Sequence, residues 1–253
     1  MLALMALVVL ALFAAGCDVD TPQNTFDARG EVAQKQKDIF LYAMWPALII
    51  MIGVLAATVV IIMRFRRRSE DEIPKQTHGN TKLEIAWTIA PALLLLGLGV
   101  PMIQTLWDIS GDPSEDAFHV NVTGVQWLWL HEYPDVTGPN GEPVSGGNQI
   151  TIPAGREVAI NLTSLDVIHS FWVPKLAGKL DAIPGRTNTM WLIADEPGSF
   201  SGQCAEFCGL QHADMDMTMI ALGEEDFEAW LDEVTGGGDG NGGDEEDDGE
   251  AGE

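Results

Sequence analysis

Two thiols, an imidazole and a thioether fall within the twelve residues Cys204-Ala205-Glu206-Phe207-Cys208-Gly209-Leu210-Gln211-His212-Ala213-Asp214-Met215. Soft thiolate and thioether sulfurs beside an imidazole favour copper. Zinc is the first competitor, because Cys204, Cys208, His212 and one distant histidine would make a tetrahedral Cys₂His₂ set, although zinc has no use for Met215. A Cys204–Cys208 disulfide is the second, in an oxidising compartment. The loop alone leaves all three open. One more imidazole is needed, and Leu165-Asp166-Val167-Ile168-His169-Ser170-Phe171-Trp172-Val173-Pro174, just after the alternating strand 157–163, offers it at His169; a satisfied core or surface histidine is the plainer reading of that residue alone.

The elements that must position these donors are short and β-rich. From Phe118 onward the chain breaks into segments 120–125, 127–133, 149–152, 157–163, 190–194 and 217–222, punctuated by glycine and proline. Val158, Ile160 and Leu162 alternate as one face of a half-buried strand should, and Pro153-Ala154-Gly155 and Ile183-Pro184-Gly185 supply turns. Strands at such spacing predict a β-sandwich or Greek-key barrel, with the cysteine segment as a loop between two strands. A short amphipathic helix follows, with Glu224, Glu225 and Asp226 at its positive end and Phe227, Trp230 and Leu231 on one face.

The first 107 residues are a different kind of polymer. Residues 2–15 are apolar and end in Ala14-Ala15-Gly16-Cys17, the form of a signal peptide whose Cys17 offers a lipidation site; the alternative is an ordinary cysteine in an uncleaved leader. Residues 39–63 carry no charge and are long enough to cross a bilayer, and 85–103 form a second uncharged run containing Pro91 and Pro101. Between them lie Arg64, Arg66, Arg67, Arg68, Lys75 and Lys82, so the positive-inside rule places this connection in the cytoplasm and both ends outside. The resulting expectation is a signal peptide over 1–17, two membrane helices within 18–110 (about 39–63 and 83–107), an exterior domain over 111–234 and a disordered acidic tail over 235–253.

Charge agrees with this division. Basic and acidic residues balance up to Trp107, and beyond it only Arg156, Lys175, Lys179 and Arg186 are basic, so the whole net charge of −25 falls on the exterior part. Such a polyanion repels phosphate backbones and excludes nucleic acid as a partner. It reads either as a halophilic, salt-adapted surface or as a docking face for a cationic protein, and composition does not separate the two.

Together these segments resemble subunit II of the haem-copper cytochrome oxidases, which carries the binuclear copper A centre. The resemblance runs from Asp38 to Trp230. It rests on Leu83-Glu84-Ile85-Ala86-Trp87-Thr88-Ile89-Ala90-Pro91, Gly124-Val125-Gln126-Trp127-Leu128-Trp129, the His169 segment, Asp181-Ala182-Ile183-Pro184-Gly185-Arg186 and the cysteine loop. It implies a two-helix transmembrane hairpin followed by an all-β cupredoxin-like Greek-key domain. It also implies that Cys204 and Cys208 bridge two coppers, with His169 and His212 as one terminal ligand each. Met215 would be a weak ligand to one copper and the backbone carbonyl of Glu206 to the other, while the Glu206 side chain would serve a magnesium site at the seam with subunit I. Trp127 matches the surface aromatic that admits electrons, with Leu128 where many members carry an aromatic; a sandwich-core tryptophan is the alternative reading. Glu84 matches the acidic residue at the cytoplasmic mouth of a proton path, against the plainer reading of an interfacial glutamate at a helix start.

The implied function is an electron-transfer subunit of a terminal oxidase in the cell membrane. Its partners would be subunit I, other oxidase subunits and a small soluble or tethered donor, a cytochrome c or a blue copper protein. Quinol oxidase subunit II shares the spans and the sandwich but lacks the copper ligands. Nitrous oxide reductase would need a His-rich propeller that five histidines cannot supply. A copper chaperone or binding module without an oxidase partner would not need the Glu84–Pro91 pattern or the Trp127 segment.

Overall fold

The computed structural model describes residues 21–69, 76 and 78–237. The leader with Cys17 and the acidic stretch from 238 lie outside the described residues.

Helix α1 (Glu31–Arg64) and helix α2 (Thr81–Ile109) form the hairpin. Both carry long apolar windows with no part buried against the rest of the chain. Side chains such as Ile49, Leu55, Ile62, Leu95 and Leu96 are left for lipid or a partner subunit. Asn80 caps α2, its side chain accepting from the backbone N–H groups of Lys82 (3.1 Å) and Leu83 (3.4 Å). The Tyr42 hydroxyl donates to the Gly97 carbonyl at 3.2 Å, pinning the helices together midway.

Helix α1 starts well before its apolar run. At about 1.5 Å per residue it is some 50 Å long, against a hydrocarbon core of about 30 Å, so its first turns rise out of the membrane. They are helical because the exterior domain holds them. Val32 and Ala33 are buried, and the Ala33 N–H donates to the Leu176 carbonyl at 3.2 Å. Lys35 reaches Glu31 (2.7 Å) and Asp108 (2.5 Å) and lies 5.5 Å from the centre of the Trp191 ring, tying both helices to the sandwich. Just upstream, Asp27 accepts from Lys175 at 2.7 Å and from Arg29 at 2.8 Å. These two cations hold its carboxyl below the usual range against the opposing effect of desolvation.

The described part of the exterior domain has ten strands in two five-stranded sheets. They are β1 (Phe118–Val125), β2 (Leu128–Thr137), β3 (Pro143–Gly146), β4 (Gln149–Pro153), β5 (Val158–Ser164), β6 (His169–Trp172), β7 (Lys179–Ala182), β8 (Asn188–Leu192), β9 (Gly198–Cys204) and β10 (Asp216–Leu222). One sheet runs β3-β2-β1-β5-β8 and the other β4-β10-β9-β6-β7. The pairs β1/β5 and β4/β10 are parallel, the others antiparallel. The chain changes sheet after β3, β4, β5, β7 and β8, which is Greek-key crossing. Inward residues of both sheets, among them Val120, Val122, Ile150, Ile160, Leu162, Phe171 and Met219, form one core. Helix α3 (Glu224–Thr235) closes one end, where Phe227 meets Phe118 edge-on at 5.3 Å and Trp230 meets Tyr133 at 5.2 Å.

Candidate metal centre

The cysteine loop is the connection between β9 and β10. In β9 alternate residues Phe200, Gly202 and Cys204 face inward, so the strand delivers Cys204 to the core side at its last position. Met215 stands one residue before β10. The loop is closed at its base where the Cys204 N–H donates to the Met215 carbonyl at 3.0 Å, and the Ala205 N–H to the Ser170 carbonyl at 2.8 Å. A single 3₁₀ turn, His212–Asp214, turns the His212 ring back toward the sulfurs. Strand β6 pairs with β9, setting Phe171 opposite Cys204, and places His169 beside the loop from a segment 35 residues away.

Five side-chain donors converge, with the Glu206 backbone carbonyl beside them. The sulfurs of Cys204 and Cys208 are 3.8 Å apart, too far for a disulfide bond of about 2.05 Å, and both are free thiols. Nδ1 of His169 lies 3.9 Å from Cys204 Sγ, and Nδ1 of His212 lies 3.6 Å from Cys208 Sγ. The Met215 sulfur is 3.8 Å from Cys208 Sγ, and the Glu206 carbonyl oxygen is 3.3 Å from Cys204 Sγ. Ligand atoms of His169, Cys204 and Cys208 all lie within 4.8 Å of one another. Metal–sulfur bonds of about 2.3 Å and metal–imidazole bonds of about 2.0 Å let two donors share one ion when separated by less than about 4.6 Å (S–S) or 4.3 Å (S–N). The individual pairs at 3.3 to 3.9 Å meet that limit. The cluster therefore fits metal ions held by both sulfurs, and its soft, five-donor composition fits copper better than a closed four-ligand zinc site.

The donors are held by a dry surround. His169 is fully buried, and its Nε2 sits 2.9 Å from Asp166 Oδ1, which leaves Nδ1 facing the sulfur. Burial raises the Asp166 carboxyl, but His169 and the backbone N–H groups of Gln126 (2.7 Å) and Val167 (2.6 Å) outweigh it and hold it below the ordinary value. Burial pushes the Cys208 thiol up to about 12, with the Cys204 thiol beside it adding to the rise. Metal uptake must therefore expel protons, and rising pH favours it. Gly124 leaves room for the histidine, since a Cβ there would stand 2.7 Å from His169 Cδ2.

The remaining expected residues are placed differently. Trp127 is half-buried in the turn between β1 and β2. It does not share a strand face with Trp129, because β1 ends at Val125 and β2 starts at Leu128; Trp129 alone is fully buried, edge-on to Phe171 at 5.4 Å. A Cβ on Gly209 would touch Trp127 Cζ2 at 3.1 Å, so the indole lies against the cysteine loop. The Glu206 side chain is exposed beside Phe207 and Leu210, which are 76% and 95% exposed, an apolar rim on the loop's outer side. Glu84 is exposed in the first turn of α2, at the far end of the hairpin from the sulfurs, and is not brought near them. Elsewhere His131 is a satisfied core histidine, its Nδ1 2.7 Å from the Gly147 carbonyl and its affinity for a proton lowered by burial. Gln126, Asp166 and Gly124 as supports of the site were not legible in the sequence. The glycine and the glutamine lie inside the quoted Gly124–Trp129 segment, but their partners are 40 to 82 residues away.

Comparison with known proteins covers both halves of the chain. The family model described as "Cytochrome C oxidase subunit II, transmembrane domain" matches residues 20–105, and "Cytochrome C oxidase subunit II, periplasmic domain" matches residues 142–222. Cytochrome c oxidase subunit 2 of Bacillus subtilis is 36% identical, across 91% of this chain and 67% of its own length. The chain belongs to the cytochrome c oxidase subunit II family. Another relative, cytochrome c oxidase subunit 2 of Alkalihalophilus pseudofirmus, is 41% identical over 229 residues, 88% of this chain; the chain spans 65% of that protein's length. Quinol oxidase subunit 2 of Bacillus subtilis is 30% identical, across 91% of this chain and 71% of its own. Among solved structures, the periplasmic domain of subunit II of the cytochrome oxidase of Bradyrhizobium japonicum is 30% identical and covers 51% of this chain and 98% of that one, with a TM-score of 0.43. Subunit II membership accounts for the observed order of parts, a membrane hairpin followed by an extracytoplasmic sandwich. It does not by itself choose between the two kinds of oxidase among the relatives.

Proposed function

We propose that this subunit II admits electrons to a haem-copper terminal oxidase through a binuclear copper centre and passes them to haem in subunit I, where oxygen is reduced. The observation that carries this reading is the convergence of His169, Cys204, Cys208, His212 and Met215 at one buried spot. A quinol oxidase subunit, which lacks copper ligands, has no use for that set, and a copper chaperone has no use for the membrane hairpin. When bound, the coppers supply a one-electron acceptor and donor whose charge is shared between two ions. Cys204, Cys208, His169 and His212 would hold the ions, with Met215 and the Glu206 carbonyl as weaker donors. The stiff β9–β10 base and the buried surround keep the donors in place between oxidation states, which suits electron passage and not substrate chemistry. The exposed carboxylate of Glu206 serves a hard cation such as magnesium at the seam with subunit I. Glu84 stands at the cytoplasmic mouth of a proton path into that subunit.

Trp127 admits the electron from a small donor protein, a cytochrome c or a blue copper protein. In the assembled oxidase Trp127→Ala is expected to slow reduction by the protein donor by about 100-fold, the scale of a lost positioning contact, while both coppers remain bound. Stopped-flow reduction with parallel metal analysis checks this. Unchanged donor kinetics would mean that electrons pass by another route.

A further inference from the structure

Gln126 makes two hydrogen bonds to segments remote in sequence. Its backbone N–H donates to Asp166 Oδ2 at 2.7 Å, and its side-chain Nε2 donates to the Cys208 carbonyl at 2.6 Å. Asp166 is in turn bonded to His169 Nε2 at 2.9 Å. One residue therefore ties the β1–β2 turn to both arms of the metal centre, the His169 segment and the cysteine loop. The third contact is Gly209, next to Cys208. Its φ of +127° lies in the region that excludes ordinary side chains, and a Cβ there would stand 3.0 Å from Gln126 Nε2, 3.1 Å from Trp127 Cζ2 and 3.2 Å from Trp127 Nε1. The indole thus meets loop backbone with no side chain between.

We propose that Gln126 is a positioning residue for electron admission: its amide clamp on the Cys208 carbonyl holds the Trp127 indole against the backbone at Gly209. The inference rests on the copper reading and on Trp127 as the point of admission. With the coppers bound, one electron from the reduced donor protein would cross the indole to the loop backbone at Gly209, which is joined to Cys208. No bond forms or breaks and no proton moves. Because the Gln126 residue is itself exposed, changing it leaves the sandwich core intact, which separates positioning from general stability.

The test compares Gln126→Leu, which keeps bulk but removes the donor, with Gln126→Glu, whose carboxylate opposes the Cys208 carbonyl, in the assembled oxidase. Both variants are expected to bind two coppers with an unaltered resonance spectrum. Reduction by the protein donor should slow by about 10- to 100-fold in kcat with KM little changed, as for a misplaced reacting group. Reduction by a small photochemical reductant that reaches the centre directly should keep its normal rate. In the metal-free full chain, amide exchange over residues 205–211 should rise by about tenfold as that segment opens locally. Donor reduction at the normal rate would overturn the proposal, as would equal slowing with both reductants. A wild-type chain without copper, or normal donor kinetics in Trp127→Ala, would instead overturn the reading on which the proposal rests.

Discussion

Gly124→Ala should lower copper binding at the His169 side of the cluster while leaving the sandwich folded. The added methyl would stand 2.7 Å from Cδ2 of His169, closer than real carbon contacts come, and 3.0 Å from Cγ and 3.2 Å from Cβ, tighter than most. The ring has no room to yield inward, since it is fully buried, faces Trp129 edge-on at 5.8 Å and is held by Asp166 at Nε2. Gly124 lies in β1, paired with both Trp129 and Ser164, so its backbone is fixed by both neighbouring strands. The imidazole must therefore leave the position that sets its Nδ1 3.9 Å from Cys204 Sγ. Overpacking of this kind costs about 1–3 kcal/mol, enough to lower the midpoint of thermal unfolding by several degrees without unfolding the domain. Loss of an imidazole ligand is the larger consequence. Gly147→Ala is the matched control, because a Cβ there meets only the Trp129 carbonyl at 4.0 Å. Metal analysis and thermal unfolding of the full chain in detergent read both effects. Full copper retention in Gly124→Ala would show that His169 is not a ligand.

Cys208→Ser should be more severe. Cys208 Sγ is the hub of the cluster, with Cys204 Sγ at 3.8 Å, His212 Nδ1 at 3.6 Å and Met215 Sδ at 3.8 Å. A serine hydroxyl is smaller, harder and not ionised near neutral pH, so it cannot bridge two soft ions. The variant should hold at most one copper and transfer electrons from the donor more than about 100-fold more slowly, beyond the 10- to 100-fold typical of changes outside the ligand shell. Its fold should survive, because a free buried cysteine behaves as a small apolar residue whose loss leaves both sheets paired. Retention of two coppers would relocate the metal pair away from this sulfur.

Much of the site was legible in the sequence because its donors are chemically rare and four of them are close in the chain. Cys204, Cys208, His212 and Met215 share one hairpin connection, so spacing alone brings them together. His169 lies 35 residues from the loop, so only the need for a further imidazole, and then the resemblance, singled it out. Its strand, β6, is buried at three of four positions and shows no alternation, and β9, reading Gly198-Ser199-Phe200-Ser201-Gly202-Gln203-Cys204, is too polar and glycine-rich to announce itself. Strands β3 and β7 are four residues each, too short to show a periodicity. The early start of α1 was hidden because Glu31 to Asp38 are mostly polar; their helix exists through contacts with Leu176, Trp191 and Asp108, which no window of hydropathy contains. Gly124, Gln126 and Asp166 were invisible as supports because close approach and long-range hydrogen bonds leave no pattern in a single sequence.

The most direct test of the binuclear centre is electron paramagnetic resonance of the copper-loaded full chain, oxidised by one electron, with copper counted on the same sample. An unpaired electron shared equally by two bridged nuclei predicts a seven-line hyperfine pattern and two coppers per chain, as donors gathered around both sulfurs require. A four-line pattern with one copper per chain would contradict the account.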